Sequence, residues 1–191
     1  MAWIRTISLG EAAGRLRELY ERSKGPGDRV DNILAAHSLR PHTLDGHLHL
    51  YRNVLHNPAN RLPAWTLEAL GVYVSALNGC RYCVDHHSQG LRRQLGDEDR
   101  WLVMHAALLA DRPESVFGDR ELAMLRYARR LTLAPASMSE SDVIMLRDSG
   151  LDDGEILEIN QVVAYFGYAN RTVLGLGVTT DGDVLGSTPE A

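Results

Sequence analysis

The sequence predicts a single all-α domain, and three observations carry that expectation. Almost every segment repeats its apolar residues at helical spacing, and Pro or Gly stands at most of the joins. Strand-type alternation is nearly absent, apart from a candidate extended stretch at Trp3–Ile7. At 191 residues the chain can bury one sizeable core, and no linker or internal repeat divides residues 1–191.

In chain order, residues 11–24 form an amphipathic helix stopped by Gly25-Pro26-Gly27. Residues 31–39 make a short helix that ends before Pro41, and Pro41 opens the next, which runs to His56. Asn57-Pro58 and Pro63 punctuate the following join, and Pro63 leads into the strongly apolar helix 64–77, AWTLEALGVYVSAL. Asn78-Gly79 interrupts it, and residues 80–96 continue as a second helix that closes at Gly96. Asp97 caps the helix 98–111. Beyond it come a helix over 118–135, another over 139–150 with a capping start at Ser139, and a long last one from about Asp153 to Leu176. GSTPEA, residues 186–191, reads as a loose tail.

Composition excludes some function classes. Formal net charge is −5, from 20 Lys+Arg against 25 Asp+Glu, and the arginines are scattered among acids, whereas a nucleic-acid surface needs a concentrated basic stripe. The longest apolar run, 162–169, is too short to span a bilayer. Arg5 and Glu11 come too early for an export signal, so a cytoplasmic protein is expected, with no nucleic acid and no membrane as partner.

The stretch NGCRYCVDHH, residues 78–87, holds both cysteines of the chain, Cys80 and Cys83. A staple across two residues would constrain the unfolded chain very little, and a reducing compartment disfavours one. At about 100° per residue, Cys80, Cys83 and His87 share one helix face, with His87 one turn beyond Cys83. The positive end of the helix favours a thiolate, and an imidazole at i+4 can deprotonate a thiol or pair with its anion. The same three residues could ligate zinc, but no second pair of cysteines supplies the usual remaining ligands. A third alternative is two small buried residues with incidental histidines. Thioredoxin-like chemistry would come with a βαβ pattern, which is missing here.

At these residues the sequence resembles the alkylhydroperoxidase D-like domain of the carboxymuconolactone decarboxylase superfamily. Its pattern is a Glu twelve residues before the first Cys, then Cys-x-x-Cys, then a His four after the second; Glu68, Cys80, Cys83 and His87 fill it in register. The likeness is clearest over about 60–95. It extends to an uncharacterised peroxidase-related branch through DNILAAHSLRPHTL and AYFGYANRTVLGLGV. The resemblance implies a single-domain helical bundle, a homo-oligomer, and a thiol peroxidase with no cofactor and no metal. Its substrate would be hydrogen peroxide or an organic hydroperoxide, and an external dithiol or reductase protein would supply electrons. Cys83 would attack, Cys80 would resolve, and Glu68 would orient His87 or take its proton; the two cysteines could exchange roles, since Cys80 is nearer the helix start. Founding members carry His immediately before the second Cys as part of a proton relay. Tyr82 stands there in this chain, which shortens that relay. A decarboxylase-type lyase and a non-enzymatic zinc-held helical module are the competing functions.

Other residues invite weaker readings. Taken alone, Glu68 is an exposed helix residue, and His86 reads equally as a surface residue or an auxiliary base. His42, His49 and His56 recur every seven residues, about 10 Å apart and too far to share an ion, so they read as ordinary helix or interface residues. Tyr165, Phe166, Tyr168 and Asn170-Arg171 favour core or subunit packing over a pocket wall, and Trp65 and Trp101 read as packing residues.

Overall fold

The computed structural model describes residues 2–186, and among them the chain is helical with no β-strand. Nine α-helices follow one another: α1 Gly14–Glu21, α2 Asn32–Ala36, α3 Pro41–Leu55, α4 Ala64–Leu77, α5 Arg81–Leu95, α6 Glu98–Leu109, α7 Asp119–Leu133, α8 Glu140–Asp148 and α9 Asp153–Leu176. The tail expected at 186–191 lies, beyond Gly186, outside the described residues.

Boundaries follow local chemistry. α1 is shorter than the expected 11–24 because Glu11 turns back to bond the backbone N–H and hydroxyl of Ser8, holding residues 8–12 in turns. The last helical turns stop early too, with Gly25 and Arg29 pairing across Pro26-Gly27. Ser139 does open α8 through a capping box with Asp142, and Asp152 opens α9 the same way with Glu155. The Trp3–Ile7 stretch joins no sheet; the Trp3 N–H donates to the Leu176 carbonyl and the Ile7 N–H to the Ser38 hydroxyl.

α4 is the centre of the molecule. It packs against α5, α6, α7 and α9, and every residue from Thr66 to Ser75 is buried. Its sequence is apolar nearly all round, which is what a helix enclosed on all sides requires. Trp65 and Trp101 are packed against this core, each with an arginine guanidinium about 5 Å over its ring, Arg100 at 4.9 Å and Arg92 at 5.0 Å. The one carboxylate of α4, Glu68, is therefore inside the protein, only 3% exposed, and not on the surface as its position near the helix start suggests. A carboxylate there needs a partner.

Candidate active site

The site is made at the corner between α4 and α5. α4 ends at Leu77, and Gly79 takes a φ of +68°, a conformation that an L side chain adopts only with strain. The chain then reverses, the Cys80 N–H donates to the Ser75 carbonyl at 2.8 Å, and α5 begins at Arg81. Cys80 is the N-cap residue of α5, and Cys83 sits in its first turn. Both are unbridged and almost fully buried.

Because α4 and α5 run side by side, Glu68 meets His87. Glu68 Oε2 lies 2.8 Å from His87 Nδ1, with the two side chains 5% and 13% exposed. A carboxylate only accepts, so Nδ1 donates to it, and Nε2 is the ring nitrogen that Glu68 leaves unengaged. The ring is braced edge-on by Phe166, centroids 4.6 Å apart. Gly90 makes room for the carboxylate, since a Cβ at that position would stand 2.6 Å from Glu68 Oε1.

The two thiols hydrogen-bond to each other and differ in charge preference. The Cys83 thiol, aided by its backbone N–H and by the Asn170 amide, holds the Cys80 pKa below its ordinary value against the effect of burial. The same contact with Cys80, then burial, pushes Cys83 well above its ordinary value. Of the two sulfurs, Cys80 is therefore the one on which a negative charge is better tolerated. Asn170 is 1% exposed, donates to Ser75 Oγ at 3.0 Å, and accepts from Asn78. It is a functional candidate that the sequence groups with packing residues.

Access runs the other way. A cavity of about 50 Å³ has Cys83, Glu68 and His87 in its wall, and Cys80 does not line it. The site residues expected from sequence are thus brought together, three on the cavity and the fourth against Cys83. Among the described residues, no group of three His, Cys, Asp or Glu side chains is arranged to hold a metal ion.

Several wall residues escape the sequence reading. His47 and Tyr51 come from the buried stripe of α3, whose register Leu44, Leu48 and Leu55 also follow. That i, i+3, i+4, i+7 pattern is the signal; the seven-residue His spacing is not, because His42 and His49 are exposed. His56 is half-buried, 4.8 Å ring to ring from Tyr51, and its Nε2 has no hydrogen-bond partner. Burial above all holds its pKa down, opposed by the charge of Glu68. Tyr165 and Ala169 add a wall from α9, so the aromatic cluster there is part pocket and part core.

Tyr82 and His86 also line the cavity, yet both reach toward the C-terminal segment. The Tyr82 hydroxyl donates to Asp183 Oδ2 at 2.7 Å, His86 Nε2 lies 3.2 Å from the same oxygen, and the two rings stack at 4.6 Å. The Asn32 N–H also donates to Asp183, so this carboxylate straps residues near 183 onto α2 and α5. Asp183 lies far from the cysteines in sequence, and no local pattern marks it.

Residues 41–130 match the model of the carboxymuconolactone decarboxylase family. The uncharacterized protein YdfG of Bacillus subtilis (strain 168) is 23% identical over 112 residues, which are 59% of this chain and 74% of that protein. The crystal structure of an alkylhydroperoxidase AhpD core, an uncharacterized peroxidase-related protein from Ralstonia eutropha JMP134, superposes with a TM-score of 0.83 at 21% identity. The match covers 99% of this chain and 98% of that one. The apo debrominase Bmp8 superposes with a TM-score of 0.74 at 17% identity, over 93% and 91% of the two chains. At these identities the solved structures share the fold.

Proposed function

We propose that this chain, which belongs to the carboxymuconolactone decarboxylase family and has the AhpD-like fold, is a cofactor-free thiol peroxidase. One observation carries the reading. A cavity wall includes a cysteine and a carboxylate-held imidazole together, and a second thiol interacts with the first.

In this reading Cys83 attacks, because it is the cysteine that lines the cavity. Transfer of the Cys83 proton, to the Cys80 sulfur or to His87 Nε2, leaves the charge on Cys83. The thiolate attacks the terminal oxygen of ROOH, the O–O bond breaks, and the sulfur is oxidised to a sulfenic acid. The departing RO⁻ takes a proton, by way of His87, and leaves as ROH. Cys80, the more acidic thiol here, then attacks the sulfenic sulfur as its thiolate. The S–O bond breaks, hydroxide is protonated to water, and a Cys80–Cys83 disulfide remains. An external dithiol or reductase protein returns two electrons and two protons. A reducing compartment and a homo-oligomer belong to the same proposal; exposed Leu102, Val103 and Leu109 on α6 support the second. Among the described residues no helix is long and apolar enough to cross a membrane.

The test is consumption of hydrogen peroxide and of an organic hydroperoxide with dithiothreitol or dihydrolipoamide as donor. Wild type should turn over and a Cys80→Ser/Cys83→Ser protein should not. Equal rates in the two would overturn the reading. Lyase chemistry on a lactone acid would instead survive loss of both thiols.

A further inference from the structure

Two buried polar side chains that do not line the cavity meet beside the thiols. They are Ser75 on α4 and Asn170 on α9, 0% and 1% exposed. The backbone puts both there. The Cys80 N–H donates to the Ser75 carbonyl, so Ser75 stands at the α4–α5 corner. On α9, Ala169 lines the cavity with Cys83, and Val173, about one turn beyond Asn170, packs with both cysteines.

Hydrogen-bond counting says what the pair does. Asn78 Nδ2 donates to Asn170 Oδ1 at 2.9 Å, which leaves both N–H hydrogens of the Asn170 amide for donation. One goes to Ser75 Oγ at 3.0 Å, and that hydroxyl, already accepting, has its own hydrogen to give. Donors this deeply buried are nearly always paired. The remaining acceptors are the sulfurs: the Asn170 amide and the Ser75 hydroxyl both donate to Cys83, and the Asn170 amide donates to Cys80 as well. Three donors thus run in one direction, from Asn78 through Asn170 and Ser75 to the thiols, and each polarises the next. A donor to sulfur favours thiolate over thiol, because an anion accepts a hydrogen bond more strongly than a neutral S–H does. At Cys83 this opposes the contact with Cys80 and burial, the two effects that push its pKa up.

We infer that Ser75 and Asn170 are the donors that hold the negative charge of the thiol pair, Ser75 on Cys83 alone and Asn170 on both sulfurs. In the proposed cycle they support the Cys83 thiolate as it attacks, and Asn170 supports the Cys80 thiolate as it resolves. That use rests on the peroxidase reading; the charge preference is a property of the reduced protein and is measured without peroxide.

The experiment titrates one thiol at a time. The ultraviolet absorbance of the thiolate is followed against pH in Cys80→Ser and in Cys83→Ser, with the Cys80→Ser/Cys83→Ser protein subtracted to remove the tyrosines. Added to these, Ser75→Ala should raise the Cys83 midpoint by about one pH unit and leave the Cys80 midpoint in place, while Asn170→Ala should raise both. A mere clip between α4 and α9 would, on loosening, disturb the two thiols alike, so the one-sided response to Ser75→Ala is the signature. Ser75→Ala removes a single oxygen, and its arm decides the matter alone if Asn170→Ala does not fold. A Cys83 midpoint that Ser75→Ala does not move, or a Cys80 midpoint that it moves equally, would overturn the inference. If wild type consumes no peroxide but the midpoints move as stated, the donor pair stands and the peroxidase reading falls. If peroxide is consumed and the midpoints stay put, the donor pair falls and the peroxidase reading stands.

Discussion

Gly90 offers the sharpest test of how the site is built. It sits in the middle of α5 and is not among the glycines with positive φ, so its backbone suits any residue. On helix propensity alone, Gly90→Ala should stabilise the protein by about 1 kcal/mol. The structure predicts the opposite. The new Cβ would lie 2.6 Å from Glu68 Oε1, 2.7 Å from Cδ and 2.8 Å from Oε2, where ordinary contact begins at 3.4 Å. The carboxylate would have to retreat by about 3.4 − 2.6 = 0.8 Å, enough to take its 2.8 Å bond to His87 beyond the usual limit of about 3.2 Å. Overpacking of this kind costs about 1–3 kcal/mol, and losing a hydrogen bond to a charged group about 1.5–3 kcal/mol. Less the propensity gain, the net loss is about 1.5–5 kcal/mol, or a Tm lower by about 3–20 °C in a chain of this size. The assay is thermal unfolding of four proteins: wild type, Gly90→Ala, Glu68→Ala and the double variant. With Glu68 shortened the clash disappears, so Gly90→Ala should then raise Tm by about 2–4 °C. That change of sign is the signature. A Gly90→Ala protein more stable than wild type, or an effect of the same sign in both backgrounds, would refute the reasoning.

Three further outcomes are expected. One equivalent of hydrogen peroxide should remove two hydrogens from the mass, reversibly with dithiothreitol; Cys80→Ser should trap a sulfenic acid that dimedone labels, and Cys83→Ser should lose fast reaction. The reverse pattern in the two single variants would exchange the attacking and resolving roles. Glu68→Gln keeps the shape but removes the anion beside His87, so turnover near neutral pH should fall by about 10²–10³-fold while the fold survives; normal turnover would reduce Glu68 to a structural residue. His47, neutral in the folded chain down to about pH 3 but titrating near 6.5 when unfolded, makes the unfolded state bind the extra proton between those values. Stability therefore rises with pH across that window and is lost on acidification, by about 2 kcal/mol at pH 5. Urea unfolding at pH 7.5 and pH 5 should show a drop that His47→Phe reduces by that amount, and an undiminished drop would disprove the assignment.

The helices were legible because their signals are local. Pro63 before α4, the Asn78-Gly79 break, Gly96 after α5 and the capping box at Ser139 act within one turn of chain, and each stands where the sequence puts it. The four motif residues were legible for the same reason, since a fixed spacing across one corner carries them. The burial of Glu68 was less so. It depends on α6, α7 and α9 closing over α4, which no property of residues 64–77 states except their apolarity on every side. His47, Asn170 and Asp183 were hidden further still, because their meaning comes only from what a distant segment brings beside them. The difference in charge preference between the thiols belongs to this class too: helix position favours Cys80, but it is the contact between the two thiols, lowering one and raising the other, that separates them.

Tyr82 shows what the departure from the family pattern does physically. A histidine before the second cysteine could pass protons, whereas the Tyr82 hydroxyl has its proton donated to Asp183 and accepts from the Ile33 N–H at 3.2 Å. Both capacities point toward α2 and the C-terminal segment and none toward the sulfurs. Burial and the Asp183 charge also push its pKa far up, so it stays a neutral phenol and carries no proton in the working range. The position has changed from relay to fastening. In the proposed cycle, proton movement at the cavity then falls to the Glu68–His87 pair, with the S–H···S contact as the internal step between the thiols. Activity should accordingly depend steeply on Glu68 and little on the ionisation of residue 82. Tyr82→Phe should loosen the strap at Asp183 without abolishing formation of the Cys80–Cys83 disulfide.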